Sequence, residues 1–255
     1  MNKLMASLLL AFSFLSTPAV LLTPALAWDL DKMNAQIENT NVIVGGVCSG
    51  TIISKEQRLV LTAYHCVDDL FQEVTEKVVD PKTNEIKEHT IRKILPIEIS
   101  TNKVHDYAIV GTETHTAKIV ASDKENDVAL IQVIDTDFKP LSAAPLAPNS
   151  YEIKRGLPIF VVGNPGIKFD NSINEGIISN TQRLLDFGDD KKLKSFQTSA
   201  PVIGGNSGGA VYNDNGELIG TLSAGVRGAA ISFAVPISFT KDMLKKAGFD
   251  SILSN

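Results

Sequence analysis

The chain has 255 residues, with 29 acidic side chains against 24 basic ones and a net charge of −5. That balance argues against a nucleic-acid partner, which would require a basic face. The length allows one or two domains with a sizeable core.

The chain opens Met1-Asn2-Lys3, runs apolar from Leu4 and ends that run with Ala25-Leu26-Ala27. A basic start, an apolar middle and small residues at the end describe a secretory signal peptide over residues 1–27. An uncleaved anchor is the alternative, because the run is long enough to span a bilayer. Pro18, Pro24 and the Ala-Leu-Ala end favour cleavage, and no cysteine follows to carry a lipid. No second apolar run approaches spanning length. The mature protein is therefore expected to be exported, periplasmic or extracellular, without stable membrane insertion.

Residues 28–41 are polar with scattered apolar positions and read as a short helix or an N-terminal arm. From Val42 onward, short β-branched runs alternate with turn residues: Val42–Val47, Gly50–Ile53 and Leu59–Thr62. A charged stretch follows, with Asp80-Pro81-Lys82-Thr83-Asn84 marking a turn between Val74–Val79 and Ile86–Ile94. It reads as a solvated hairpin without chemistry. Tyr107–Val110, Ala117–Val120 and Val128–Ile134 are further strands. Pro140–Asn149 is rich in Pro and Ala and reads as a crossover near the middle of the mature chain.

The second half repeats the texture with Ile159–Val162, Ile173–Ser179, Phe196–Ser199, Ala210–Tyr212, Leu218–Ser223 and Ile231–Val235. Asn213-Asp214-Asn215-Gly216 is a hairpin turn, and only Ser238–Gly248 reads as a helix. Many short strands, one crossover and a closing helix predict an all-β protein. Its expected form is two antiparallel six-stranded β-barrels over 42–145 and 146–255, each closed to remove its sheet edges.

Chemistry concentrates in three places. In Gly204-Gly205-Asn206-Ser207-Gly208-Gly209-Ala210, flanking glycines let the backbone bend sharply and bring successive N–H groups near a ligand. His65, in Thr62-Ala63-Tyr64-His65-Cys66, ends an apolar strand beside one of only two cysteines. In an exported protein Cys48 and Cys66 are a disulfide candidate. A crosslink beside His65 would pin a general base in place. His89, His105 and His115 sit in polar surroundings and read as solvated. Asp127 opens the strand Val128-Ala129-Leu130 after a polar turn and is preferred over Asp106 as the carboxylate that orients the imidazole.

Thr62–Cys66, Asn126–Leu130 and Gly205–Gly209, in the order His, Asp, Ser, resemble the trypsin/chymotrypsin-like serine endopeptidases, and most closely their HtrA/Deg-like branch. Val162-Gly163-Asn164-Pro165-Gly166, Glu175–Ser179 and Phe233–Pro236 are similar to that branch's flanking motifs. The resemblance implies Ser207 as nucleophile, His65 as general base and acid, Asp127 as orienting carboxylate and the N–H groups of Gly205 and Ser207 as oxyanion hole. It implies a protein or peptide substrate and acyl-enzyme chemistry, and no cofactor or metal is expected. The cysteine pair matches the trypsin-type disulfide, which periplasmic HtrA-like members usually lack.

Ile43-Val44-Gly45-Gly46 looks like the activated end of a trypsin zymogen. The partner aspartate of that mechanism is here Asn206, so the segment is expected to be an ordinary strand. By the same resemblance Pro201, Val202, Ser223, Gly225 and Ile231 are expected to shape a shallow pocket preferring small or medium aliphatic side chains, with Arg227 nearby. Two other readings remain: a non-catalytic secreted binding protein on this fold, and an esterase, which the His-Asp-Ser order opposes. Oligomeric state and a trimer or PDZ domain of the HtrA kind are not inherited.

Overall fold

The computed structural model describes residues 39–254, apart from 107, 187 and 189–191, together with Asn34 and Ile37. The leader expected over 1–27 and most of the arm expected over 28–41 lie outside the described residues.

The first half holds β1 (Asn41–Val44), β2 (Cys48–Ser54), β3 (Leu59–Thr62), β4 (Phe71–Val79), β5 (Ile86–Ile94), β6 (Ile97–His105), β7 (Ala108–Asp123) and β8 (Val128–Val133). Six of them close in the order β1-β2-β3-β8-β7-β6, while β4 and β5 pair only with each other as a hairpin. The second half holds β9 (Pro158–Gly163), β10 (Ser172–Asp186), β11 (Lys192–Thr198), β12 (Ala210–Tyr212), β13 (Leu218–Gly225) and β14 (Ser232–Pro236), then helix α1 (Ile237–Lys246). These strands run β10-β11-β14-β13-β12-β9, and β9 pairs back onto β10.

The continuous apolar runs have a geometric reason. A strand points successive side chains to opposite faces, and here both faces are covered. Leu59 and Leu61 enter a core shared between the two halves, while Val60 enters the first barrel. Val128 and Leu130 alternate with Ala129 and Ile131 in the same way. In the second half Phe160 and Val162 face the shared core and Ile159 and Val161 face inward. Each such Val, Leu, Ile or Phe side chain contributes about 1.5–3 kcal/mol of burial, and the shared core joins both halves across the crossover.

The shared core also takes in Ile37, which is 1% exposed. Thr40 bonds to Ile37 O (2.6 Å) and Tyr212 OH (2.9 Å), so the end of the expected arm is built into the interior. β1 is an ordinary strand, turned at Gly45 and Gly46 in the left-handed region and paired on both sides, to β2 and to β6.

Two expectations change. Tyr107–Val110 and Ala117–Val120 were expected as separate strands, but β7 runs unbroken from Ala108 to Asp123. Its partner β6 contains the polar run Ser100-Thr101-Asn102-Lys103, whose partly solvated faces hide the strand from a hydrophobic pattern. His115, expected to be solvated, lies on β7 opposite Ile99 and is only 4% exposed.

Candidate active site

Immediately after β3 the chain turns once through a 3-10 helix, Tyr64–Cys66, which carries His65 into the cleft. Tyr64 stacks on Phe71 at 5.7 Å, and Cys66 is bonded to Cys48 of β2 with Cα atoms 6.0 Å apart. The turn is thus held by packing on one flank and a covalent bond on the other. Asp127 stands at the mouth of β8 with φ of 50°, a conformation that Asp tolerates better than most residues. Asp106 lies on the β6–β7 turn with its carboxylate 88% exposed and 3.4 Å from the His105 ring, and no bond joins it to His65 among the described residues.

Asp127 takes three kinds of donor. His65 Nδ1 lies 2.9 Å from Oδ2 and 3.1 Å from Oδ1, the His65 backbone N–H donates to Oδ1 at 3.0 Å, and the Ser223 hydroxyl donates to Oδ2. Burial alone would raise this carboxyl. The bonds from His65 and Ser223 outweigh burial and hold it below the ordinary aspartate range. An ionised carboxylate on Nδ1 favours the imidazole tautomer whose Nε2 can accept a proton.

Ser207 sits on the glycine-rich loop between β11 and β12. Its carbonyl accepts the Ser49 N–H at 2.8 Å, and its hydroxyl donates to the Ser223 carbonyl at 3.5 Å rather than to His65. The loop fits only glycine at two points. A Cβ on Gly208 (φ 80°) would lie 2.2 Å from Ser49 O and Thr62 Oγ1; one on Gly205 (φ 98°) would lie 2.3 Å from Asn164 O.

Two backbone donors are left available. The Gly204 carbonyl accepts Gly166 N–H at 2.7 Å and the Asn206 carbonyl accepts Gly209 N–H at 2.9 Å. In a trans peptide the C=O and N–H point to opposite sides, so the Gly205 and Ser207 N–H groups face away from these acceptors. Among the described residues neither donates to a protein group. Such a pair can bind a developing oxyanion.

Three polar side chains that hold this loop were not singled out from the sequence. Ser49 Oγ donates to Gly205 O at 2.6 Å and accepts Asn164 N–H at 2.8 Å. Asn164 also reaches Val42 O at 2.8 Å, and Thr62 Oγ1 donates to Ser49 O at 2.7 Å. Except for Thr62 with Ser49, these pairs join residues over a hundred positions apart, beyond any local spacing.

Beside Ser207 is a cavity of about 530 Å³, lined by Val202, Ile203, Leu222, Ala224, Gly225 and exposed Arg227, with Gly204 and Ser207 at its edge. Val202 packs so closely on Gly225 that a Cβ there would lie 2.4 Å from Cγ2. Of the residues expected to shape the pocket, Val202 and Gly225 lie here. Pro201 lines a neighbouring cavity with Gly228, Ala229 and Ala230. Ser223 commits its hydroxyl to Asp127, and Ile231 accepts Val226 N–H through its carbonyl. Cys48, His65 and Cys66 cluster, but the two sulfurs are spent on each other and offer no thiolate to a metal.

A trypsin-like fold carrying a histidine–aspartate pair opposite a glycine-flanked serine defines the class of the molecule. The model of the trypsin-like peptidase domain matches residues 48–220, and the chain belongs to that family. It is similar to the serine protease HtrA-like of Staphylococcus aureus (strain bovine RF122 / ET3-1), at 36% identity over 159 residues. That match covers 58% of this chain and 19% of the relative. The serine protease HtrA-like of Staphylococcus epidermidis (strain RP62A) is 36% identical over 143 residues, or 51% of this chain and 24% of the relative. The matches thus span about a fifth to a quarter of these relatives' length.

Proposed function

We propose that the chain is an exported serine endopeptidase working through an acyl-enzyme, built as two barrel units over 42–145 and 146–255. Ser207 Oγ attacks the scissile carbonyl carbon while His65 Nε2 takes its proton. The oxyanion is held by Gly205 and Ser207 N–H, each worth about 3–4 kcal/mol in the transition state. Collapse expels the amine, which takes the proton back from His65. Water, deprotonated by the same nitrogen, then attacks the ester and releases acid and Ser207. Asp127 keeps the imidazole in the required tautomer and stabilises its cation.

The observation that carries this reading is the His65 ring held by Asp127 at 2.9 Å while the Gly205 and Ser207 N–H groups of the serine loop have no acceptor among the described residues. For the Ser207 hydroxyl to reach His65 it needs a side-chain rotation, a ps–ns event. The 36% identity to proteins named as HtrA-like serine proteases supports the same chemistry.

For the substrate, Val202, Leu222 and Ala224 favour a small or medium aliphatic side chain at the cleavage point. Arg227 is exposed at the rim, where its charge stays solvated.

Labelling with a fluorophosphonate tests the reaction. The wild type should label and Ser207→Ala should not; an unlabelled wild type supports a binding protein instead. Cleavage of a peptide library tests the pocket, and an acidic preference would transfer specificity to Arg227.

A further inference from the structure

His115 is a buried titratable group that peptide hydrolysis does not use. Its side chain is 5% exposed, and Phe138 meets it edge-on at 4.9 Å. Three carboxylates surround the ring. Glu113 Oε1 lies 3.3 Å from Nε2, while Asp137 Oδ1 and Asp135 Oδ2 lie 3.5 and 3.9 Å from Nδ1. Glu113 shares the β7 face two residues away; the two aspartates come from the segment leaving β8 toward the second half. Well-formed N–H···O bonds measure about 2.7–3.2 Å. The buried Nδ1 is therefore aimed between two carboxylates without a short bond to either.

Lys103 Nζ sits 3.1 Å from Glu113 Oε2 and pairs with that carboxylate. An ionised carboxylate beside Nε2 favours the proton on that nitrogen and leaves the lone pair on Nδ1. A lone pair and two carboxylates that face one another repel unless positive charge lies among them. The three ligand atoms lie within 4.8 Å of one another. Zinc bonds of about 2.0–2.1 Å in a tetrahedral site set neighbouring ligand atoms about 3.3 Å apart, so small inward rotations suffice.

We propose that His115 Nδ1, Asp135 Oδ2 and Asp137 Oδ1 bind a divalent transition-metal cation of the zinc class. Imidazole with carboxylates suits zinc better than an all-oxygen cation such as calcium. Thr116 N–H, bonded to Asp135 Oδ2 at 2.7 Å, and Glu113 behind the imidazole orient the ligands. Asp137 is 81% exposed, so water can reach the fourth position. The cation fastens β7 to the crossover segment, an attachment absent from the sequence expectation that no metal is held.

The test dialyses chelator-stripped full chain against zinc chloride and measures retained metal and melting temperature. Wild type should retain close to one zinc per chain and melt higher with it. Asp137→Asn, at an exposed side chain that the fold does not need, should weaken retention at least about tenfold and erase the thermal shift. His115→Gln should do the same, and Glu113→Gln should weaken retention about 10–100-fold. Absence of retention would overturn the proposal. So would retention unchanged by Asp137→Asn, or retention lost only in His65→Ala.

Discussion

Asp127 is 2% exposed and takes bonds from the His65 backbone, the His65 ring and the Ser223 hydroxyl, and the turn that carries His65 is sealed by a disulfide. Ser207 has its backbone fixed equally firmly, through Ser49, yet its hydroxyl keeps one long bond of 3.5 Å. The two sides of the cleft are thus finished to different degrees. On the aspartate side both backbone and side-chain contacts hold the carboxylate against the imidazole. On the serine side the backbone is held while the Ser207 hydroxyl keeps its rotation, which suits the covalent step proposed for it.

The sharpest way to break this comparison is Asp127→Asn. An amide would present N–H to the ring and favour the wrong tautomer, so kcat should fall about 10⁴-fold in pre-steady-state assays with the fold retained. A loss under tenfold would show that the corner does not need its carboxylate. Next comes the double variant Cys48→Ala with Cys66→Ala, which frees a separation of 18 residues. Urea unfolding should show a loss of about 3 kcal/mol, with kcat falling by less than in Asp127→Asn.

On the opposite side, Ser49→Ala removes the bonds to Gly205 O and Asn164 N–H. It should cost about 1–2 kcal/mol and lower kcat more than it raises KM, because the anion-binding peptide loosens while the pocket remains. The smallest effect is on pH-dependent stability. The folded carboxyl of Asp127 lies below its unfolded value, so its contribution is present above the ordinary aspartate range. It is lost as pH falls through the folded value. Below about pH 4 the wild type should therefore lose more stability than Asp127→Asn, as followed by denaturant titration at each pH.

What could be read from the residues follows from how local each signal is. Leu59–Thr62, Ile86–Ile94 and Ala210–Tyr212 are bounded by turn residues and coincide with β3, β5 and β12. The disulfide partners are the chain's two cysteines, and β1 behaves as the strand that Asn206 implied. β6 escaped because its hairpin with β7 is partly wet, leaving no alternation to detect. Ser223 was legible as a neighbour of the cleft but not as a donor to Asp127, since that bond joins residues 96 apart. His115 was misread because Glu113, Asp135 and Asp137 make its surroundings polar in sequence while β-pairing and Phe138 bury it.

The core shared by the two halves has a consequence for the order in which the molecule is made. It joins Leu59, Leu61 and Leu130 to Tyr212, Val235, Leu244 and Ile252. A ribosome releases the His65 and Asp127 segments long before the last of these. Until the second-half members from Phe160 to Ile252 have emerged, the early barrel lacks the apolar surface that covers its outer face. The cleft between the halves is therefore completed late, and a chain that still lacks helix α1 carries its His65 and Asp127 segments with an uncovered core face.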